Sequence, residues 1–345
     1  MAFTASDVPD LVKGTLYRLG RMKFQQIAQS LVRYEIFTKW FKEDKVVVGD
    51  GLGLQRNMMT RHATTARHVG WNDPDRVAMA SVLEQLKVEW VQLTDAWGFD
   101  YRETLMNKGA SQIVDIIKAR RASTMLSIAS ELETKAWSAP SASNTVDPKG
   151  IPHWLVKSAT TGFNGGYPSG YTTIGGLNLE TQAPTFKNYT FAYSAFNKTS
   201  LVKPWRTAMR VTDFVSPVSI DDYRGEVGRQ FRHYVNEATL SNIEDIGEAQ
   251  NENLGRDLST MDGKMTFNSN PIIYVPQLDS DTQNPIYSID HSTFYPIVLQ
   301  GMFLLEHDAI RAPENHNRYY IPVDLMYNYI CIDRRRNTVS YYNGS

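Results

Sequence analysis

The chain has 345 residues, of which 42% are hydrophobic and 21% charged, with a formal net charge of -1. That composition is globular rather than disordered, and long enough for one large domain or two ordinary ones. No bulk basicity marks a groove-reading nucleic-acid binder, although a protein that merely encloses nucleic acid need not be basic. The single cysteine, Cys331, excludes an internal disulfide framework and suits a reducing cytosol. The N-terminus lacks a basic flank followed by an apolar run, and no uncharged apolar stretch reaches the ~20 residues of a membrane helix. A soluble protein made inside the cell, with no membrane partner, is expected.

Leu11 to Trp40 contains no proline, and Leu16, Leu19, Phe24, Ile27, Leu31 and Tyr34 recur mostly at helical spacing. This predicts one or two amphipathic helices without a core of their own, an arm that packs on something else. Between Gly51 and Asn72 there is no acidic residue, yet Arg56, Arg61, His62, Arg67 and His68 are present. The later VLEQLKVEWVQLTDAWGF suits a returning strand. Two extended runs around a long polar excursion predict a large hairpin standing away from the body.

Asp100 to Ala139 is again free of proline, with Met106, Ala110, Ile113, Ile117, Met125, Ile128, Leu132 and Ala136 at 3–4 spacing. A helix from Tyr101 to Trp137 would span about 55 Å, a strut with one face covered by sheet. Arg121 interrupts its seam, which argues against a coiled coil. SAPSASNTVDPKG follows as a linker. Residues 158 to 197 then carry only Glu180 and Lys187 as charges, so this glycine- and tyrosine-rich stretch should lie against protein. Leu201, Trp205, Ala208 and Thr212 fall on one helical face, with Pro204 near its start. A helix is expected over 239–255, with Ser241 and Glu244 as a capping box and Gly255 as its stop. Every odd position from Tyr319 to Cys331 is apolar, the period of a strand.

The glycine-rich GFNGGYPSGYTTIGGLN (162–178) lacks the Gly-Lys-Ser/Thr of a P-loop and the spacing of a dinucleotide fingerprint. Ser169 in GYPSG sits one place late for a nucleophile elbow. Turns and close backbone packing explain it better. No histidines stand three or four residues apart, and no C-x-x-C occurs, so neither a zinc site nor any other metal or cofactor is expected. LDSDTQNPIYSID opens like a calcium loop with Asp279 and Asp281, but turn chemistry explains it better than metal binding. Cys331 falls on an apolar strand face, where an inert thiol is expected. Two charge features stand out. One is the basic hairpin with Arg56, Arg61 and Arg67. The other is the acidic helix with Glu244, Asp245, Glu248 and Glu252. These are candidate inter-subunit contacts in which a basic arm reaches an acidic neighbour. Arg334, Arg335 and Arg336 are read as internal salt-bridge residues or as residues facing packaged phosphate.

Several long segments, in order, resemble the major capsid proteins of tailed bacteriophages: GFNGG-PSGYTT-GGLN, LVKPWRTAMRVTDF, NEATLSNIEDIGEAQNENLG, MDGKMTFNSNPIIYVPQLDSDTQNPIYSID and YNYICIDRRRN. They cover about residues 150 to 337. The resemblance implies an α+β, Hong Kong 97-type capsid fold. It would place an N-terminal arm at 1–41, an extended β-hairpin loop at 42–98 and a peripheral domain with its long spine helix at 99–157. A mainly axial domain with some peripheral strands would follow at 158–315, and a peripheral return strand with the C-terminus at 316–345. It implies a structural, non-enzymatic subunit that self-assembles into pentamers and hexamers of an icosahedral head enclosing double-stranded DNA. The virion would be its location, after synthesis in the host bacterial cytoplasm. Implied partners are further copies of itself, a portal protein, packaged DNA bound non-specifically, and in some relatives a cement or decoration protein. Because the arm starts near Met1, a separate scaffolding protein is expected rather than a cleaved scaffolding segment. An encapsulin-like compartment of the same fold is the nearest alternative. A cytosolic hydrolase using Ser169 is the alternative from another class.

Overall fold

The computed structural model describes residues 34–49, 51, 53–62, 66–71, 81–106, 110–214, 230–250 and 265–344; the side chains of 104, 106, 110–116 and 248–250 are left aside. The arm expected before residue 34, the loop tip and Glu252 therefore lie outside the described residues. The first element is a π-helix, α1 (Ile36–Asp44), followed by β1 (Val46–Val48). Strands β2 (Gly53–Met59) and β3 (Leu83–Glu89) form a two-stranded antiparallel sheet, with Gly53 opposite Glu89 and Met59 opposite Leu83.

The returning strand expected from the sequence is broken in two at Trp90. β3 stays in the hairpin, whereas β4 (Val91–Asp100) turns into the main sheet along β14. The Trp90 indole donates to the carbonyl of Gly51 at 2.8 Å, which fastens this break to the other leg. The strut follows as α2 (Tyr101–Met106) and α3 (Ala110–Ala136). Asp100 and Glu103 form a capping box at its start: Asp100 Oδ1 accepts from Arg102 N at 2.9 Å and Glu103 Oε2 from Asp100 N at 3.4 Å. Arg120 grips Glu103 through two bonds of 2.7 and 2.8 Å, so the first turn is tied to the body of the helix. Arg121 leaves the helix seam for Glu306 at 2.6 Å, across the sheet.

A short turn, α4 (Ile151–Trp154), leads to β5 (Gly162–Gly165) and β6 (Asn188–Tyr193). A π-turn at Lys198–Val202 runs into α5 (Lys203–Val211), which is followed by β7 (Phe231–Val235) and α6 (Glu237–Gln250). Leu201, Trp205, Ala208 and Thr212 are all buried, as their spacing predicts. α6 starts earlier than the sequence suggests. Asn236 is its cap, accepting Thr239 N at 3.0 Å, so Ser241 and Glu244 lie inside the helix rather than in a capping box.

The remaining strands are β8 (Thr266–Phe267), β9 (Asn270–Tyr274), β10 (Ile286–Asp290), β11 (Phe294–Leu299), β12 (Leu305–Glu306), β13 (Ile310–Arg311), β14 (Arg318–Cys331) and β15 (Thr338–Tyr342). In the six-stranded sheet, β14 has β4 along one side and β11, β12 and β13 along the other. Val323, Leu325, Tyr327, Tyr329 and Cys331 are buried on the face the alternation predicts. Asn328 and Ile330, on the opposite face, are buried too: Asn328 accepts from Lys149 N and donates to the Glu89 carbonyl, and Ile330 joins the apolar core. The seven-stranded sheet has the order β5-β6-β15-β10-β7-β9-β8. Residues 316–345 are thus divided between the sheets, since β15 pairs with β6 and β10. α5 and α6 cover one face of this second sheet, where Trp205, Met209 and Ile243 meet Phe191, Phe231 and Ile286. Its other face shares a core with α1, α3 and the first sheet.

Candidate assembly surface

Among the described residues, β2 and β3 pair with no strand but each other, so the hairpin depends on its root for position. The glycine-rich segment supplies part of that root. Ile174 and Leu177 exchange backbone hydrogen bonds of 3.0 and 2.9 Å around Gly175 (φ 55°) and Gly176 (φ 78°), a two-residue turn that requires left-handed backbone at both positions. The carbonyl of Gly175 accepts the N–H of Lys87 in β3 at 2.8 Å. A Cβ on Gly175 would stand 2.2 Å from Leu86 Cδ1, so only glycine admits this approach. Leu86, Ile174 and Leu177 are buried together beneath the turn.

Two earlier glycines of the segment, Gly165 and Gly166, face Arg334. It is fully buried and donates to the carbonyls of Trp154 (2.6 Å), Phe186 (3.0 Å), Gly165 (3.2 Å) and Gly166 (3.1 Å), and to Asn188 Oδ1 (2.9 Å). Burial lowers its guanidinium to about 10, which still leaves it charged at neutral pH. A Cβ on Gly165 would lie 1.8 Å from that Asn188 oxygen. Neither sequence reading of Arg334 survives: its partners are carbonyls and an amide, not a carboxylate, and burial keeps it from phosphate. Arg335 does form the internal pair, with Asp333 at 2.9 and 3.0 Å, and Arg336 is half-buried against Phe214.

At the other side of the root, α1 is held by buried polar groups. Glu133 of α3 accepts the N–H of Ile36 at 2.8 Å and the Trp137 indole at 3.1 Å. Burial pushes its carboxyl up to about 7, against those hydrogen bonds. Glu35 pairs with Arg232 of β7 at 2.6 Å. Asp44 lies 3.0 Å from His291, whose other nitrogen meets the Tyr234 hydroxyl at 2.8 Å; Trp40 donates to that same hydroxyl at 3.1 Å. Burial lowers the His291 imidazole, with Asp44 acting against it. These bonds join the segment before the hairpin to the strut and to the second sheet at once.

The two predicted charge features lie on different elements, and most of their described members are exposed. Arg56 is half-buried in β2, while Arg61 and Arg67 are exposed beyond its end. Val69 and Trp71 are exposed beside them, Trp71 completely. Glu244 and Asp245 are exposed on α6; the side chain of Glu248 lies outside the described set. Ser169 is exposed, and among the described residues no histidine hydrogen-bonds its hydroxyl. Asp279 accepts the N–H of Glu237 and the Tyr274 hydroxyl, and Asp281 pairs with Lys157, so the calcium-like loop spends its carboxylates on protein. Cys331 is buried, and burial raises its thiol. Among the described residues no helix is long and apolar enough to cross a membrane.

No family model matches the chain, and no curated protein matches it. Solved structures do. The cyanophage A-1(L) capsid asymmetric unit aligns with a TM-score of 0.64 at 8% identity, over 92% of this chain and 94% of that one. The capsid of Myoviridae phage XM1 gives 0.55 at 11%, over 95% and 99%. The capsid of an empty GTA particle gives 0.53 at 12%, over 94% and 95%.

The chain has a phage capsid fold. At such low identity the likeness is one of architecture, carried by mixed helices and sheets along nearly the whole length. In this capsid fold the described parts of the segments that resembled tailed-phage capsid proteins take up ordinary structural work. The glycine signature braces the hairpin and encloses Arg334, and the terminal RRR begins with that same residue.

Proposed function

We propose that the chain is the major structural subunit of a tailed-bacteriophage head, with the Hong Kong 97-type arrangement of arm, extended loop, spine helix, peripheral and axial domains. Copies associate into the pentamers and hexamers of an icosahedral shell around double-stranded DNA. The observation that carries this reading is the whole-length match to phage capsid chains, combined with a hairpin that no other described strand flanks. Beyond its root, where Leu86 and Val88 are buried, the hairpin exposes Met59 and Leu83 and buries little within its own chain, so the order of its outer part is completed by neighbours. Contacts of hairpin to neighbouring body are heterologous and close by rotation into rings. Arg56, Arg61 and Arg67 on one subunit, and Glu244, Asp245, Glu248 and Glu252 on another, supply opposite charge for steering and register. Scaffolding and portal proteins complete the assembly, the virion is its location, and the chain carries out no catalysis.

Electron microscopy of the concentrated protein with its scaffolding partner tests this reading. Closed shells are expected. Discrete small oligomers under every assembly condition would overturn it.

A further inference from the structure

Helix α5 is divided sharply by charge. Trp205, Ala208 and Met209 are buried against the second sheet, whereas Lys203, Arg206 and Arg210 are exposed on the opposite side. The helix, KPWRTAMRV, has no acidic residue. The three cations stand at i, i+3 and i+7, one face of a helix, spread over about 10 Å. None of them has a carboxylate partner among the described residues. Two further cations lie just past the end of the helix. Phe214 carries Arg335 at 4.8 Å and Arg336 at 5.6 Å over its ring. Among the described residues, three cations thus stand on α5 and two at Phe214, and Asp333 is held by Arg335.

We infer that the outer face of α5, extended by Arg335 and Arg336 at Phe214, binds the phosphate backbone of duplex DNA. The inference rests on the shell reading for its setting. Two observations favour phosphate over an acidic protein. A protein interface needs apolar anchors at its centre, and among the described residues α5 exposes one large apolar side chain, Val211, at 42%. A row of exposed cations, of which Lys203, Arg206 and Arg210 have no carboxylate partner among the described residues, suits a dense line of charge, about one per 1.7 Å of duplex, without any sequence readout. The binding is therefore non-specific and salt-dependent.

The test is fluorescence anisotropy of a labelled duplex of about 30 base pairs, titrated with the full chain over a range of salt concentrations. Each phosphate contact contributes about -0.9 to the slope of log affinity against log salt, so Lys203→Gln/Arg206→Gln/Arg210→Gln should flatten the slope by about 2.7. Affinity at low salt should fall at least about tenfold. Arg61→Gln/Arg67→Gln should leave both unchanged, and thermal unfolding should show the triple variant folded. A triple variant that binds like the parent overturns the inference, as does binding that is lost with the hairpin pair instead. Binding of a poly-glutamate peptide through these three residues, with none of the duplex, would also overturn it and assign the face to an acidic protein. Shells that form without affinity for DNA sink only this inference, whereas absence of shells sinks the assembly reading.

Discussion

The carboxylate of Glu133 accepts the backbone N–H of Ile36 at 2.8 Å, so a residue of α3 closes the start of α1 from ninety-seven positions further along the chain. A helix start leaves N–H groups without intrahelical partners, and a local Ser, Thr, Asp or Asn normally takes one of them. Here the cap is tertiary. The start of α1 is therefore completed only when the strut is in place.

Glu133 also sets a pH dependence. Its carboxyl titrates near 7 in the folded chain against an ordinary 4.5. The folded state therefore holds an extra proton between those values, and this group's contribution to stability falls as pH rises from about 4.5 to about 7, then stays level. The size is on the order of 3 kcal/mol. Glu133→Gln should remove that slope, so the difference in unfolding free energy between parent and variant should change across this window and nowhere else. Urea unfolding at stepped pH measures it; parallel curves would dismiss Glu133 as the titrating group.

Arg334→Lys keeps the charge but loses the planar fork, leaving several of the carbonyls of Trp154, Phe186, Gly165 and Gly166 without donors. A loss of about 3 kcal/mol or more is expected. The urea midpoint reads it directly, and an unchanged midpoint would show that the cradle is dispensable.

Gly175→Ala puts a methyl into Leu86 and an L side chain into left-handed backbone. The cost should be about 1–3 kcal/mol, concentrated at the root of the hairpin. Hydrogen exchange of the Lys87 amide, which bonds to Gly175, should speed up while the β14 amides keep their protection. Equal loss everywhere would contradict a local brace.

Arg61→Glu with Arg67→Glu should reduce shell yield while leaving thermal unfolding of the separate chain within about 0.5 kcal/mol, because both residues are exposed. Unchanged yield by light scattering would remove the charge-steering proposal.

Elements written by local rules were legible in the sequence. The alternation of β14 and the buried face of α5 follow from periodicity, and the structure keeps them; of the strut expected over 101–137 it describes helix at Tyr101–Met106 and Ala110–Ala136, with 107–109 outside the described residues. A motif read without its context misled. Ser241 and Glu244 have capping-box spacing but lie within α6, whereas Asp100 and Glu103 form the real box, at a helix start that the apolar spacing of the helix interior does not mark. The break at Trp90 was hidden as well, since both halves of that run favour strand and only the partners differ. Arg334 shows the same difficulty in its sharpest form. Three consecutive arginines look alike in sequence, and nothing local says that the first is enclosed by loops more than a hundred residues away. The outward charge of α5 is legible in KPWRTAMRV, where Lys203, Arg206 and Arg210 share one helical face.

The position of β15 has a consequence for timing. It pairs in parallel with β6, whose residues precede it by about 150 positions, and it separates β6 from β10. Until residues 338–342 arrive, the second sheet is two fragments with open edges, and contacts so distant in sequence form slowly. A chain emerging from the ribosome can build its strut and hairpin well before this seam is closed. Subunits still being translated would thus be poor building blocks, and polymerisation would wait for chains whose synthesis has passed that last strand.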